Sequence, residues 1–234
     1  MKDITYNREV LQAIKSISST LSKQFIIRKI DNQISIKKNE KGIGMYVDFT
    51  SPVENFDFEG DVLAFADDVY ADFYKYYNLF KNPTIKQDAK KLIIKEDKQT
   101  IKFSPSNPDI ISNEFNGVKN LPTPTVTFNL PAEQFSYLEK MIKMVGCEEV
   151  TMTVKGKELS ISLNNNVNEN SSDMTIELDE EIKKDLKFTI PVTIFSVAPD
   201  FNYVVNIIPE AKMFHFSSVN ELFTLNVYTG IKIS

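Results

Sequence analysis

The sequence predicts an α+β fold of two similar halves, each a mostly antiparallel sheet interrupted by two helices. Three observations predict it. The chain repeats itself in a fixed order. Strand-like alternation runs through "QISIKK", "TIKF", "ELSISL" and "MTIEL". Two stretches in each half read as helices, the leading one in each with apolar residues at helical spacing.

The repeat is read first, because a duplicated unit fixes the architecture. "ITYN" at 4–7 matches "VTFN" at 126–129, and "FIIRKIDNQISI" at 25–36 matches "VTMTVKGKELSI" at 150–161. "MYVDF" at 45–49 pairs with "MTIEL" at 174–178, and "DFEGDVLAF" at 57–65 with "KFTIPVTIF" at 187–195. "YYNLF" at 76–80 is set against "VVNII" at 204–208, and "TIKF" at 100–103 against "TLNV" at 224–227. Each match is weak. Their shared order, at an offset of about 122 to 130 residues, is the signal.

The first helix spans about 8–22, with Asn7 as its N-cap. Val10, Ile14, Ile17 and Leu21 step by four, three and four and form one apolar stripe. The opposite stripe holds Arg8, Gln12, Lys15, Ser19 and Lys23: three basic residues and no acidic one. A second helix is expected at about 60–71, capped by Asp61 and carrying Asp67, Asp68 and Asp72. The aromatic run "DFYKYYNLFK" then reads as a strand.

The stretch 104–125, "SPSNPDIISNEFNGVKNLPTPT", holds four prolines and reads as a surface connector between domains at 1–117 and 118–234. Pro131 precedes a third helix at 132–145, where a missing N–H costs little. Phe135, Leu138, Ile142 and Val145 make its apolar side. Glu133, Ser136, Lys140 and Lys143 face the other way. "NNNVNENSSD" at 164–173 reads as an exposed loop, and a fourth helix follows at about 191–198 after Pro191.

Composition bounds the function. The chain has 234 residues, 42% hydrophobic, with a net charge of −5. That balance argues against a surface coated throughout for nucleic acid, though not against a local basic face. A single cysteine, Cys147, excludes an internal disulfide and reads as structural. The only histidine, His215, lies in the alternating "KMFHFSS" and reads as a sheet position rather than a general base. There is no glycine-rich phosphate loop, and the three aspartates lack the glycine loop or histidine partner of a metal site, so no cofactor and no metal are expected. No apolar run reaches bilayer length, and the polar start "MKDITYNREV" does not read as a signal peptide; a soluble intracellular protein is expected.

A basic stripe on helices that head duplicated units suits sequence-blind contact with phosphates; a merely solvated helix face is the alternative reading of the same residues. No recognition-helix, zinc-finger or RNA-binding consensus is present.

The chain resembles the DNA sliding clamps, most closely the T-even bacteriophage type. The resemblance covers almost the whole chain. It rests on the duplicated strand–helix order, the length, "LPTPTVTFNLPAEQFSYLEKMIKM" across the link, and "VTMTVKGKELSIS" after that helix. It implies duplicated clamp domains, sheets outside and helices inside, assembled as a head-to-tail homotrimeric ring. It implies a non-enzymatic processivity factor that encircles double-stranded DNA and tethers a DNA polymerase, opened by a clamp-loader ATPase. The DNA-facing set would be Arg8, Gln12, Lys15, Ser19, Lys23, Ser136, Lys140 and Lys143. Partner peptides would seat near the connector, where Ile110, Ile111, Phe115, Val118 and Leu121 are the apolar candidates, although these could equally pin the connector to the sheets. If viral, the protein would work in the host cytoplasm. Two other readings stay open: a duplicated structural or assembly protein, and a monomeric single-stranded DNA binder stacking bases on Phe73, Tyr74, Tyr76 and Tyr77.

Overall fold

The computed structural model describes residues 2–20, 24–40, 44–66, 68–88, 91–111, 117–118, 120–165, 167, 170–197 and 201–233. The chain divides into two compact units. Unit 1 is Met1–Glu40 with Val47–Gly117 and Asn220–Thr224; unit 2 is Lys41–Tyr46 with Val118–Val219 and Leu225–Ser234. Every strand pairing described below is antiparallel.

Unit 1 begins with β1 (Lys2–Tyr6) and α1 (Arg8–Thr20). Asn7 caps α1: its Oδ1 accepts from the backbone N–H of Glu9 at 2.9 Å and of Val10 at 3.4 Å, satisfying two donors that the first turn leaves orphaned. β2 (Phe25–Ile30) turns into β3 (Gln33–Glu40) through Asp31 and Asn32, both at positive φ. That is the two-residue hairpin geometry Asp and Asn tolerate. β4 (Met45–Pro52), β5 (Phe56–Asp57) and β6 (Val62–Phe65) follow. After α2 (Val69–Tyr77) come β7 (Thr84–Asp88), β8 (Lys91–Glu96) and β9 (Gln99–Phe103). One sheet runs β5-β1-β7-β8-β9, and a second set runs β4-β3-β2-β6.

The structure corrects the reading of 60–80. Residues 62–65 are a strand, not the start of a helix, because Val62–Phe65 pairs with β2, Phe25 opposite Phe65. The helix starts only after Asp68, so Asp61 caps nothing. The aromatic run expected as a strand is that helix. Its buried residues Tyr70, Phe73 and Tyr77 step by three and four, which is a helical face. The match of "YYNLF" to "VVNII" therefore fails. β7 holds the position of "VVNII", since it pairs with β1 as that strand pairs with β10 in unit 2.

Unit 2 holds β10 (Val126–Leu130), α3 (Ala132–Val145), the long ribbon β11 (Glu149–Asn164) and β12 (Ser171–Pro191), and α4 (Thr193–Val197). Then come β13 (Tyr203–Ile208), β14 (Met213–Val219), β15 (Thr224–Gly230) and β16 (Lys232–Ile233). Strands order β10-β13-β14-β15 in one set and β11-β12-β16 in the other. β16 touches only Phe188 and Thr189 of β12.

Each unit closes on aromatic rings. In unit 1, Phe65, Tyr70 and Phe73 pack with Phe25, and the Tyr70 hydroxyl donates to the Leu11 carbonyl at 3.0 Å, tying α2 to α1. Burial pushes the Tyr70 phenol well above its ordinary range. In unit 2, Phe135 of α3 meets Phe195, Tyr203 and Phe216 with ring centres 5.4 to 6.0 Å apart.

α3 ends on Gly146 in the left-handed region, φ 70°, with its N–H on the Ile142 carbonyl. The Asn165 amide donates to the Val145 and Gly146 carbonyls at 3.0 and 2.8 Å, and a Cβ at 146 would stand 3.2 Å from that nitrogen. Gly146→Ala is expected to lower stability by about 1–2 kcal/mol through left-handed strain and a displaced Asn165. A urea unfolding midpoint matching the parent protein would refute this account of the cap.

Candidate nucleic-acid interface

The two leading helices have the same division of labour. On α1, Val10, Leu11, Ala13, Ile14 and Ile17 are buried. Arg8 and Gln12 are exposed and Lys15 is half-buried. Ser19 lies on the helix backbone, while Leu21 and Lys23 fall outside the described residues. On α3, Phe135, Leu138, Ile142 and Val145 are buried as expected. Lys140 and Lys143 are exposed and Ser136 is half-buried.

The exposed cations are not equivalent. The Arg8 guanidinium donates to the Lys81 carbonyl and stands 5.8 Å from the Tyr77 ring centre, so it fastens the start of α1 to the end of α2. Burial, with Tyr6 beside it, pushes the Tyr77 phenol to about 12. Lys143 pairs with Glu139 one turn back on α3. Lys15 and Lys140 have no carboxylate partner among the described residues. Their charge is the part of each helix free to meet an anion.

α2 presents exposed Asp68 and Asp72 against one exposed cation, Lys75, while Asp67 lies outside the described residues. Among the described residues no group of three or more His, Cys, Asp or Glu side chains is placed to hold a metal ion. α4 carries no charge, and its Ile194 and Phe195 are buried. The proposed stacking surface is largely consumed by the core, since Phe73 and Tyr77 are buried and Tyr74 is half-buried.

The connector residues do not behave as a set. Ile110, at the end of a short 3-10 turn, is 65% exposed. Ile111 was expected to be exposed and is buried instead, against Ile26, Ala64 and Ala66 of unit 1. Its side chain pins this end of the connector. Val118 and Leu121 are half-buried, and Phe115 falls outside the described residues.

Sequence reasoning missed an apolar stripe on the solvent side of α3. Tyr137 is 54% and Met144 75% exposed, a heptad apart beside Lys140. Their spacing was visible, but two large apolar residues outside the main stripe were absorbed into a polar face.

His215 sits in a row of side chains across unit 2. Thr127 Oγ1 donates to Asn206 Oδ1 at 2.9 Å, which aims the Asn206 amide N–H at His215 Nδ1, 3.2 Å away. His215 Nε2–H then donates to Asn226 Oδ1 at 3.0 Å, and the ring stacks on Tyr228 at 4.3 Å. Both ring nitrogens are satisfied in the neutral form, and burial lowers the imidazole below its ordinary 6.5. Cys147 is buried and free, its thiol pushed up by burial.

No helix among the described residues is long and apolar enough to cross a membrane. No protein-family model matches the chain, and no curated protein matches it. Solved structures do. An A. fulgidus PCNA bound to the C-terminal region of FEN-1 is 14% identical, with TM-score 0.75, covering 100% of this chain and 99% of its own. PCNA from Entamoeba histolytica is 16% identical, with TM-score 0.74 and coverages of 95% and 94%. A chain of the PCNA2–PCNA3 complex from Sulfolobus tokodaii is 13% identical, with TM-score 0.75 and coverages of 99% and 99%. The fold is that of duplicated PCNA-type clamp domains.

Because folding holds His215 neutral, the unfolded chain binds its proton first as pH falls. Stability is therefore full above about pH 6.5 and declines below it, toward the lowered folded value. His215→Gln removes this titration. The stability lead of the parent over this variant should shrink between about pH 7.5 and 5.5. An unfolding midpoint difference constant across that range would contradict the assignment.

Proposed function

We propose that this chain is a subunit of a sliding clamp. It assembles as a head-to-tail homotrimeric ring, encircles duplex DNA without reading its sequence, and tethers a replicative DNA polymerase. The observation that carries the reading is the whole-chain likeness to PCNA-type folds, with nothing of either chain left over in the first comparison. Two further observations support it. Both units head with a helix that buries one stripe and leaves an unpaired lysine outside, Lys15 on α1 and Lys140 on α3. The surrounding composition is acidic, which limits adhesion to DNA elsewhere.

On this reading Lys15 and Lys140, with Gln12, Ser19, Lys23 and Ser136, face the DNA, and Arg8 and Lys143 add charge at the margins. Contacts stay weak and salt-sensitive because linkage, not affinity, retains the ring. The protein does no chemistry of its own; the energy for opening comes from a clamp-loader ATPase. Partner tails seat by apolar anchors near the connector, Ile110 and the half-buried Val118 and Leu121 being the residues offered. The domains are 1–117 and 118–234. The closest type is that of T-even bacteriophages, which puts the protein in a host cytoplasm.

Lys15→Glu combined with Lys140→Glu should leave the circular dichroism spectrum and the assembly mass unchanged. It should cut stimulation of the cognate polymerase by about tenfold or more at low salt, and by less as salt rises. The parent ring should stay on nicked circular DNA and leave linear DNA. Unchanged stimulation would overturn the inner-face assignment; equal retention on both DNAs would overturn encirclement.

A further inference from the structure

Two strand edges of this chain are open and opposite in character. β9 ends its sheet in unit 1, and no strand pairs with its outer edge. In unit 2, β16 covers only Phe188 and Thr189 of β12, so the stretch Ser171–Glu181 has a free edge among the described residues. Exposed edges of this length invite a further strand.

The two faces of each edge carry the second observation. On β12, Asp173, Glu177 and Asp179 are exposed on one face, while Met174, Ile176 and Leu178 turn to the other. No basic residue occurs in 171–182. The ladder even sets Glu177 directly opposite Glu158 of β11. Like charges in that position destabilise a lone ribbon, and a cation arriving from outside relieves them. On the inner side, Met174 and Tyr137 border an open groove beside α3.

β9 is the complement. Lys98 precedes it and Lys102 lies exposed on one face, while Ile101 and Phe103 turn to the other. The nearest carboxylate, Glu96, already accepts from the backbone N–H groups of Lys81 and Asn82, which leaves Asp97 as the one acid of this hairpin turn. Phe103 packs on Tyr76 at 5.6 Å, and Leu79 beside it is 71% exposed. Laid edge to edge, the strands match face by face. Apolar Phe103, Tyr76 and Leu79 meet Tyr137 and Met174, and the lysines meet Asp173, Glu177 and Asp179.

We propose that a second copy of this chain is the occupant: the β9 edge of one copy docks on the β12 edge of the next, and its closure is governed by this acid–base pairing. The contact is heterologous, so it repeats from copy to copy. The inference rests on the clamp reading only in taking that repetition to close as a ring. It makes the junction salt-dependent, because its charges are exposed and lie within a Debye length of one another.

Three variants test it by light scattering across concentration and salt: Glu177→Lys with Asp179→Lys, Lys98→Glu with Lys102→Glu, and all four together. The parent should approach about 80 kDa, three chains of 26.8 kDa, and dissociate as salt rises. Each double variant should need at least about tenfold more protein to assemble, and the quadruple variant should recover most of that loss. Recovery in the quadruple variant excludes misfolding as the cause. If the parent assembles and the reversals leave its mass unchanged, this pair of edges is wrong while the ring reading stands. A parent monomeric at every concentration overturns both.

Discussion

The structure depends on one constraint: an amphipathic helix has to bury one stripe on a sheet, and the opposite stripe is then committed to whatever lies outside. α3 shows it plainly. Phe135, Leu138, Ile142 and Val145 each remove an apolar side chain from water, worth about 1.5–3 kcal/mol apiece. Phe135 is also caged by three rings, so the helix cannot rotate without breaking aromatic contacts on several sides. That fixes Lys140 on the outside. The same argument holds α1, with the Tyr70 hydroxyl adding a buried bond to its backbone. Lysine placement in each unit is thus a consequence of apolar packing, not of any contact the lysines make.

What the sequence revealed follows the strength of the local signal. α3 was legible to the residue, because its period is clean and a proline and a glycine bracket it. α1 was legible for the same reason, with Asn7 as a true cap. The stretch 60–80 was not. "VLAF" and the tyrosine-rich run that follows are both apolar and both short, and aromatic residues suit strands as well as buried helix faces. Only the pairing of Phe65 with Phe25 decides that the first is a strand and the second a helix. The misreading carried into the repeat, where "YYNLF" was set against a strand. Duplication constrains the order of elements more firmly than the alignment of residues inside them.

The site was less legible than the fold, for a physical reason. A helical wheel says which residues point away from the core, but not what else they touch. Arg8 looked identical to Lys15 on that wheel. In the structure its guanidinium is engaged with the Lys81 carbonyl and the Tyr77 ring, contacts to residues some seventy positions away. Lys143 was equally ambiguous until Glu139 was seen to share its flank. Ile111 failed in the opposite direction: a connector composition suggested exposure, yet Ala64 and Ala66 are small enough to leave a seat for it.

The distribution of charge follows from the same geometry. With net charge −5, the chain cannot attract a polyanion as a whole. Its lysines gain local effect only where carboxylates are absent or already engaged. Glu139 is engaged on α3, and Glu96 is engaged by backbone N–H groups at the β8–β9 hairpin. Where carboxylates are left unopposed, as along β12, the exposed face becomes a place for cations instead. Acidic and basic surfaces are thereby sorted onto different elements of one chain, the helices that head each unit and the strand edges. An ordinary solvated surface mixes its signs residue by residue, because nothing selects otherwise. Here the sorting is coarse, and it falls on the elements whose backbone or side-chain faces the fold leaves unpaired.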